Sequence, residues 1–163
     1  MITSSIECSL RIKDIMSTPP VALPPGEEVI RAVELMAEYN IGSVIIIDNL
    51  RPIGIFTERD LVRCIGREGK IALEQMLENC SSRNLFVLKD NDCIIEAFYL
   101  FSKFRVRHAP VVDDNGVLVG VVALRDITDR LVEEPELLLE ILEASVPELS
   151  RDVIYLLIKS LQK

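Results

Sequence analysis

Residues 21–61 and 86–127 are two copies of one pattern, and any fold of this chain must accommodate both. Val21-Ala22-Leu23 answers Phe86-Val87-Leu88, and the turn Pro25-Gly26-Glu27 answers Asp90-Asn91-Asp92. Val29, Ala32, Leu35 and Met36 fall on Ile94, Ala97, Leu100 and Phe101 at a constant offset of 65 residues. Ile41 to Asp48 answers Val106 to Asp113 at the same offset. The offset then grows to 66, and Gly54-Ile-Phe-Thr57-Glu-Arg-Asp60 answers Gly120-Val-Val-Ala123-Leu-Arg-Asp126. One insertion, placed in a turn and nowhere else, is what a duplicated fold unit tolerates best.

Each unit reads β-α-β-β-α, an α/β (α+β) pattern. Val29, Val33, Met36 and Ala37 recur at helical spacing, as do Ile94, Ala97, Phe98 and Phe101. The runs 44–47 and 109–112 are short, apolar and rich in β-branched residues, which predicts buried strands. Asp113-Asp-Asn-Gly116 is a hairpin turn by its Asn-Gly pair, and 49–52 does the same job less distinctly. Return strands are expected at 53–56 and 117–122, closing helices at 58–67 and 125–132, and a short helical linker at 72–77. So small a sheet exposes one face unless something covers it, so the units should pack sheet to sheet and share a core. The expected division is 1–70 for the first repeat with its N-terminal segment, 71–132 for the linker helix and second repeat, and 133–163 for a helical tail. In that tail 135–144 and 147–161 each start near a proline, and the second carries an apolar arc wide enough to sit in a groove or against a partner.

Composition narrows the function classes. The chain has 163 residues, 49% hydrophobic and 27% charged, which excludes disorder as its main state. Apolar runs such as 44–47 are far short of a membrane span, and the chain's start has no basic segment leading into an apolar one. Eighteen basic against 26 acidic residues leave a net charge of −8, which argues against nucleic acid except through a local patch such as Arg59, Arg105, Arg107 and Arg125. Cys8, Cys64, Cys80 and Cys93 lie far apart and His108 is the lone histidine, so no zinc pattern forms. The cysteines are expected to be reduced, buried thiols in a cytoplasmic protein.

No catalytic signature appears. There is no G-x-S-x-G, G-x-G-x-x-G or H-E-x-x-H, and Gly69-Lys70 fails as a phosphate loop because Cys64 and Ile71 stand where Gly and Ser/Thr are needed. The chain is therefore expected to be no enzyme and to need no cofactor or metal. What remains is the end of each return strand. Thr57 and Asp60 sit three residues apart at a strand-to-helix turn, where free N–H groups attract phosphate and a carboxylate can accept from sugar hydroxyls. The same T-x-x-D is equally a capping box that serves only its helix.

The units resemble CBS domains, and the pair resembles a Bateman module, over about residues 12–131. The marks are Ile12-Lys-Asp-Ile-Met16, the strand 44–47 leading to Asp48, Gly54-x-x-Thr57-x-x-Asp60, and in the second copy Arg107-His-Ala-Pro-Val-Val-Asp113 and Gly120 to Asp126. The resemblance implies two tandem repeats packed through their sheets, with clefts for an adenosine-containing ligand: AMP, ADP, ATP or S-adenosylmethionine. It implies that each aspartate holds a ribose while the preceding hydroxyl and the residues before the apolar strand meet phosphate. Carried over, one cleft takes Thr57, Arg59 and Asp60 with Ile41, Gly42 and Ser43; the other takes Arg125 and Asp126 with Arg107, His108 and Ala109. Adenine is expected near Thr18, Pro20 and Val21 in the first copy and near Arg83, Leu85 and Phe86 in the second. Ala123 replaces the hydroxyl in the second copy, and Arg107 with His108 would compensate, so the Asp126 cleft is expected to bind a phosphorylated ligand more tightly. A homodimer is expected, with a protein partner for the tail as the rival reading and neither membrane nor nucleic acid as partner.

Overall fold

The computed structural model describes residues 8, 10–134 and 136; the expected tail helices at 135–144 and 147–161 lie outside the described residues. The first repeat contains β1 (Ala22–Leu23), α1 (Val29–Tyr39), β2 (Ser43–Asp48), β3 (Arg51–Thr57) and α2 (Glu58–Glu68). A 3-10 segment, Gly69–Glu74, and the short α3 (Leu77–Cys80) link it to the second. There β4 (Leu88–Lys89), α4 (Ile94–Phe104), β5 (His108–Val112), β6 (Leu118–Ala123) and α5 (Leu124–Glu133) repeat the order. Each sheet has three strands in chain order, the first pair parallel and the second antiparallel.

The repeat holds down to its irregularities. Both antiparallel pairs slip register at equivalent points, after Ile46 and after Val111, so Ile53 and Val119 are the unpaired bulge residues. Side chains alternate across each sheet. Val44, Ile46 and Phe56 pack under α1 and α2, while Ile45 and Ile55 on the other face are buried as well. Both faces are covered, as the packing of the two sheets requires. On the helix sides the apolar interior forms two clusters, one per repeat, while Ile45, Ile55 and Val112 are buried outside both. Helices cover only the outer face of each sheet, so each repeat builds its own core there.

The connecting segments cross over. Ile12, fully buried, lies in the core of the second repeat, where its N–H donates to Asp92 O and that of Lys13 to Asp90 O. Ala72, Leu77 and Cys80 of the linker lie in the core of the first. Two short bridges fix the exchange: Ser17 pairs with Val121 on β6, and Ser82 pairs with Ile55 on β3. Glycine is needed beside each crossing. A Cβ on Gly120 would sit 3.1 Å from Ser17 O, and one on Gly54 3.3 Å from Ser82 O.

The cysteines depart from the expected free thiols. Cys8 is disulfide-bonded to Cys93 and Cys64 to Cys80, with Cα–Cα distances of 5.8 and 5.6 Å. Sequence separations of 85 and 16 hid both pairs. The exchanged N-terminal segment brings Cys8 to α4, and the packing of α3 on α2 brings Cys80 to Cys64.

Candidate functional site

A cavity of about 230 Å³ opens between the repeats. Its first wall is the N-terminus of α2, with Thr57, Glu58, Arg59, Asp60 and Arg63. Its second is the crossing segment before β4, with Ser82, Asn84, Leu85 and Phe86, placed there by the Ile55–Ser82 bridge. Its third is the run Arg105, Val106, Arg107 and His108 that enters β5, facing Gly42 and Ile55 of the first repeat.

Thr57 is the N-cap of α2. Asp60 N–H donates to Thr57 Oγ1 at 3.3 Å, and Asp60 Oδ2 accepts from Thr57 N–H at 3.0 Å and Thr57 Oγ1 at 2.6 Å. The capping box is therefore real. It uses only one carboxylate oxygen. Asp60 is 8% exposed and lines the cavity, and among the described residues Oδ1 has no hydrogen-bond partner. Capping and ligand recognition are thus compatible in one side chain. In the second repeat Asp126 Oδ2 accepts from Ala123 N–H at 2.7 Å, with no hydroxyl to complete the box.

His108 sits where the repeats meet. A Cβ on Gly42 would lie 3.2 Å from its Cε1 and Nε2, so the imidazole packs on bare backbone. Burial holds its pKa below the usual 6.5, against the opposing pull of Glu58 on α2 and Asp126 on α5; Arg107 adds to the lowering. The ring is neutral at pH 7 and becomes a better phosphate partner when protonated.

The cavity gathers Gly42, Thr57, Arg59, Asp60, Leu85, Phe86, Arg107 and His108 from both expected groups. The expected grouping is corrected: Arg107 and His108 share a cavity with Thr57 and Asp60, because the crossing segments mix the repeats. The basis for ranking the Asp126 cleft above the Asp60 cleft goes with it. The other nominated residues lie elsewhere. Ile41 packs on the first core and Ala109 in the second, and Ser43 is buried opposite Thr57 in the sheet. Arg83 turns out to pair with Glu78 at 3.1 Å, and Arg125 pairs with Asp129 at 3.4 Å. Thr18 and Pro20 follow Ser17, which bridges to β6, and Val21 packs on the first core with its carbonyl accepting from Ile45 N–H at 3.1 Å. Sequence reasoning missed Arg63, Glu58, Ser82 and Asn84 on the cavity wall, and named Arg105 only as part of a possible nucleic-acid patch. Helical spacing from Arg59 puts Arg63 on the same face one turn on, a signal that was available.

A family model described as CBS domain matches residues 12–67 and 72–133. An uncharacterized protein of Methanopyrus kandleri is 33% identical over 120 residues, 73% of this chain, and the chain spans 61% of that relative's length. A second uncharacterized protein, from Methanocaldococcus jannaschii, is 32% identical over 152 residues, covering 93% of this chain and 76% of its own. A CBS domain protein of Pyrobaculum aerophilum, solved in complex with AMP, superposes with a TM-score of 0.70 at 26% identity over 81% of this chain and 98% of its own.

Proposed function

Because the chain belongs to the CBS-domain family, we propose that it is a non-catalytic regulatory module that senses an adenosine-containing ligand in the cavity between its repeats. The observation that carries the reading is the meeting of three unlike walls in one cavity: a buried carboxylate with a free oxygen at the N-terminus of α2, an apolar Leu85–Phe86 edge, and a cationic run entering β5. Those are the needs of a ribose, a purine and a phosphate, in that order. The AMP held by the Pyrobaculum aerophilum protein supports the same class of ligand. Asp60 Oδ1 accepts from the ribose hydroxyls, Phe86 and Leu85 flank the base, and Arg107, His108 and the N–H groups of α2 receive phosphate.

Of the four arginines that could form a nucleic-acid patch, Arg59, Arg105 and Arg107 line this concavity, where a small anion reaches them better than a duplex does. Ligand differential affinity for two arrangements of the repeats would transmit the signal. The reading places the sensor in the cytoplasm, where adenine nucleotides are made and spent, with its two disulfides an exception to the reduced thiols usual there, and as a homodimer.

A thermal-shift series with AMP, ADP, ATP and S-adenosylmethionine tests it. Ligand at 100 times its Kd should add about 2.7 kcal/mol, several degrees in Tm. Asp60→Ala should abolish the shift while lowering ligand-free stability by only about 0.5–2 kcal/mol, the cost of a lost cap. No shift with any of them would move the function to a protein-docking module.

A further inference from the structure

In a chain of net charge −8, Arg59, Arg63, Arg105 and Arg107 converge on one cavity. None of the four has a carboxylate within ion-pairing distance among the described residues; Arg31, Arg67, Arg83, Arg125 and Arg130 are paired, and Arg11 and Arg51, which are not, lie away from this cavity. The repeat supplies an internal control. The counterparts of Arg59 and Arg63 are Arg125 and Asp129, which pair with each other at 3.4 Å. The counterparts of Arg105 and Arg107 are Asn40 and Gly42. Four unpaired cations on one set of positions face one cation and one anion on the related set. Against the Glu58 and Asp60 carboxylates on the same walls, the four guanidinium groups leave the cavity net positive, and an anion bearing several charges is drawn to it.

Resting on the adenosine reading above, we propose that this cavity selects its ligand by phosphate number, taking a nucleoside di- or triphosphate over a monophosphate and disfavouring a cationic sulfonium such as S-adenosylmethionine. The guanidinium groups present forked donors to successive phosphates, and α2's N-terminus adds its own N–H groups.

Isothermal titration of the full chain with adenosine, AMP, ADP, ATP, S-adenosylmethionine and inorganic tripolyphosphate, in metal-free buffer, tests this. Affinity should rise by about fivefold per added phosphate, the scale of one partly exposed charge contact. That gain should shrink between about 0.05 and 0.5 M salt while adenosine binding stays level. Arg63→Asp, which copies the Arg125–Asp129 pair of the second repeat, should bring ADP and AMP to nearly equal affinity. AMP or S-adenosylmethionine binding as tightly as ATP overturns the proposal, as does an ADP preference that survives Arg63→Asp. If tripolyphosphate binds in an Arg63-dependent manner and no adenosine compound binds better than it, the polyanion selectivity stands and the adenosine reading falls. If nothing binds, tripolyphosphate included, both fall.

Discussion

Gly42 and His108 show how much a single missing Cβ decides. A Cβ on Gly42 would press the imidazole at 3.2 Å, so Gly42→Ala must push the ring toward the cavity or away from Glu58. The expected outcome is loss of phosphate-ligand affinity with little loss of ligand-free stability, read by titration beside a thermal melt. His108 also predicts a pH dependence with a definite sign. Its folded pKa lies below 6.5 because burial disfavours the charged ring, so the unfolded chain binds the proton more readily. Its contribution to stability is present above 6.5 and is lost as pH falls through the lowered folded value. A bound phosphate works the other way and favours the imidazolium. Affinity for AMP should therefore rise as pH falls through 6.5 toward the lowered value of the free protein, by up to about tenfold for each pKa unit the ligand restores. His108→Gln should flatten that rise; an unchanged slope would remove His108 from the phosphate site. At this scale the sequence was legible for chemistry and illegible for grouping. Thr57, Asp60, Arg107 and His108 stood out as residue types. That they share one cavity depends on a crossing that no local pattern encodes.

Among the elements, the connecting segments carry what periodicity could not reveal. Strands and helices followed from alternation and helical spacing, down to the Asn-Gly turn, where Asp113 Oδ1 accepts from the N–H groups of Asn115 and Val117. The linker expected as one helix at 72–77 is a 3-10 segment followed by α3, broken at Gln75 and Met76. Its apolar residues point into the first core rather than forward along the chain. The N-terminal segment does the converse. Ile12→Ala should therefore destabilise the second repeat, about 100 residues downstream of it in part, by about 2–5 kcal/mol, the cost of a truncated buried aliphatic side chain. Hydrogen exchange should place the lost protection in β5 and β6 and leave β2 protected. Loss confined to the first repeat would mean that the segment packs within its own copy. The disulfides are checked at the same scale. Alkylation of the unfolded, unreduced chain should label no cysteine, and reduction should expose all four, Cys8, Cys64, Cys80 and Cys93.

For the whole molecule, the consequence of two cores and crossed segments is a cavity that belongs to neither repeat. Thr57 and Asp60 are anchored at the edge of the first core, while Arg107 and His108 lead directly into β5 of the second. A hydrogen bond from Leu118 N–H to Leu50 O at 2.9 Å ties the hairpins together, and the bridges at Ser17 and Ser82 tie each repeat to the other's entering segment. A ligand held by Asp60 and Arg107 at once is a further tie, present only when bound. It stabilises states in which both walls are folded and correctly spaced, so its binding free energy counts against the opening of either core. Saturating ATP should then slow amide exchange at Ile46 in the first core and Val111 in the second together, with gains up to about 2.7 kcal/mol at 100 times Kd. Protection gained at Ile46 alone would show that the ligand rests on α2 without engaging Arg107 and His108. Such a ligand could not report on the spacing of the repeats, and the regulatory role would have to lie outside this cavity. Joint protection would make the cavity the point at which occupancy becomes a change in how the two repeats are held.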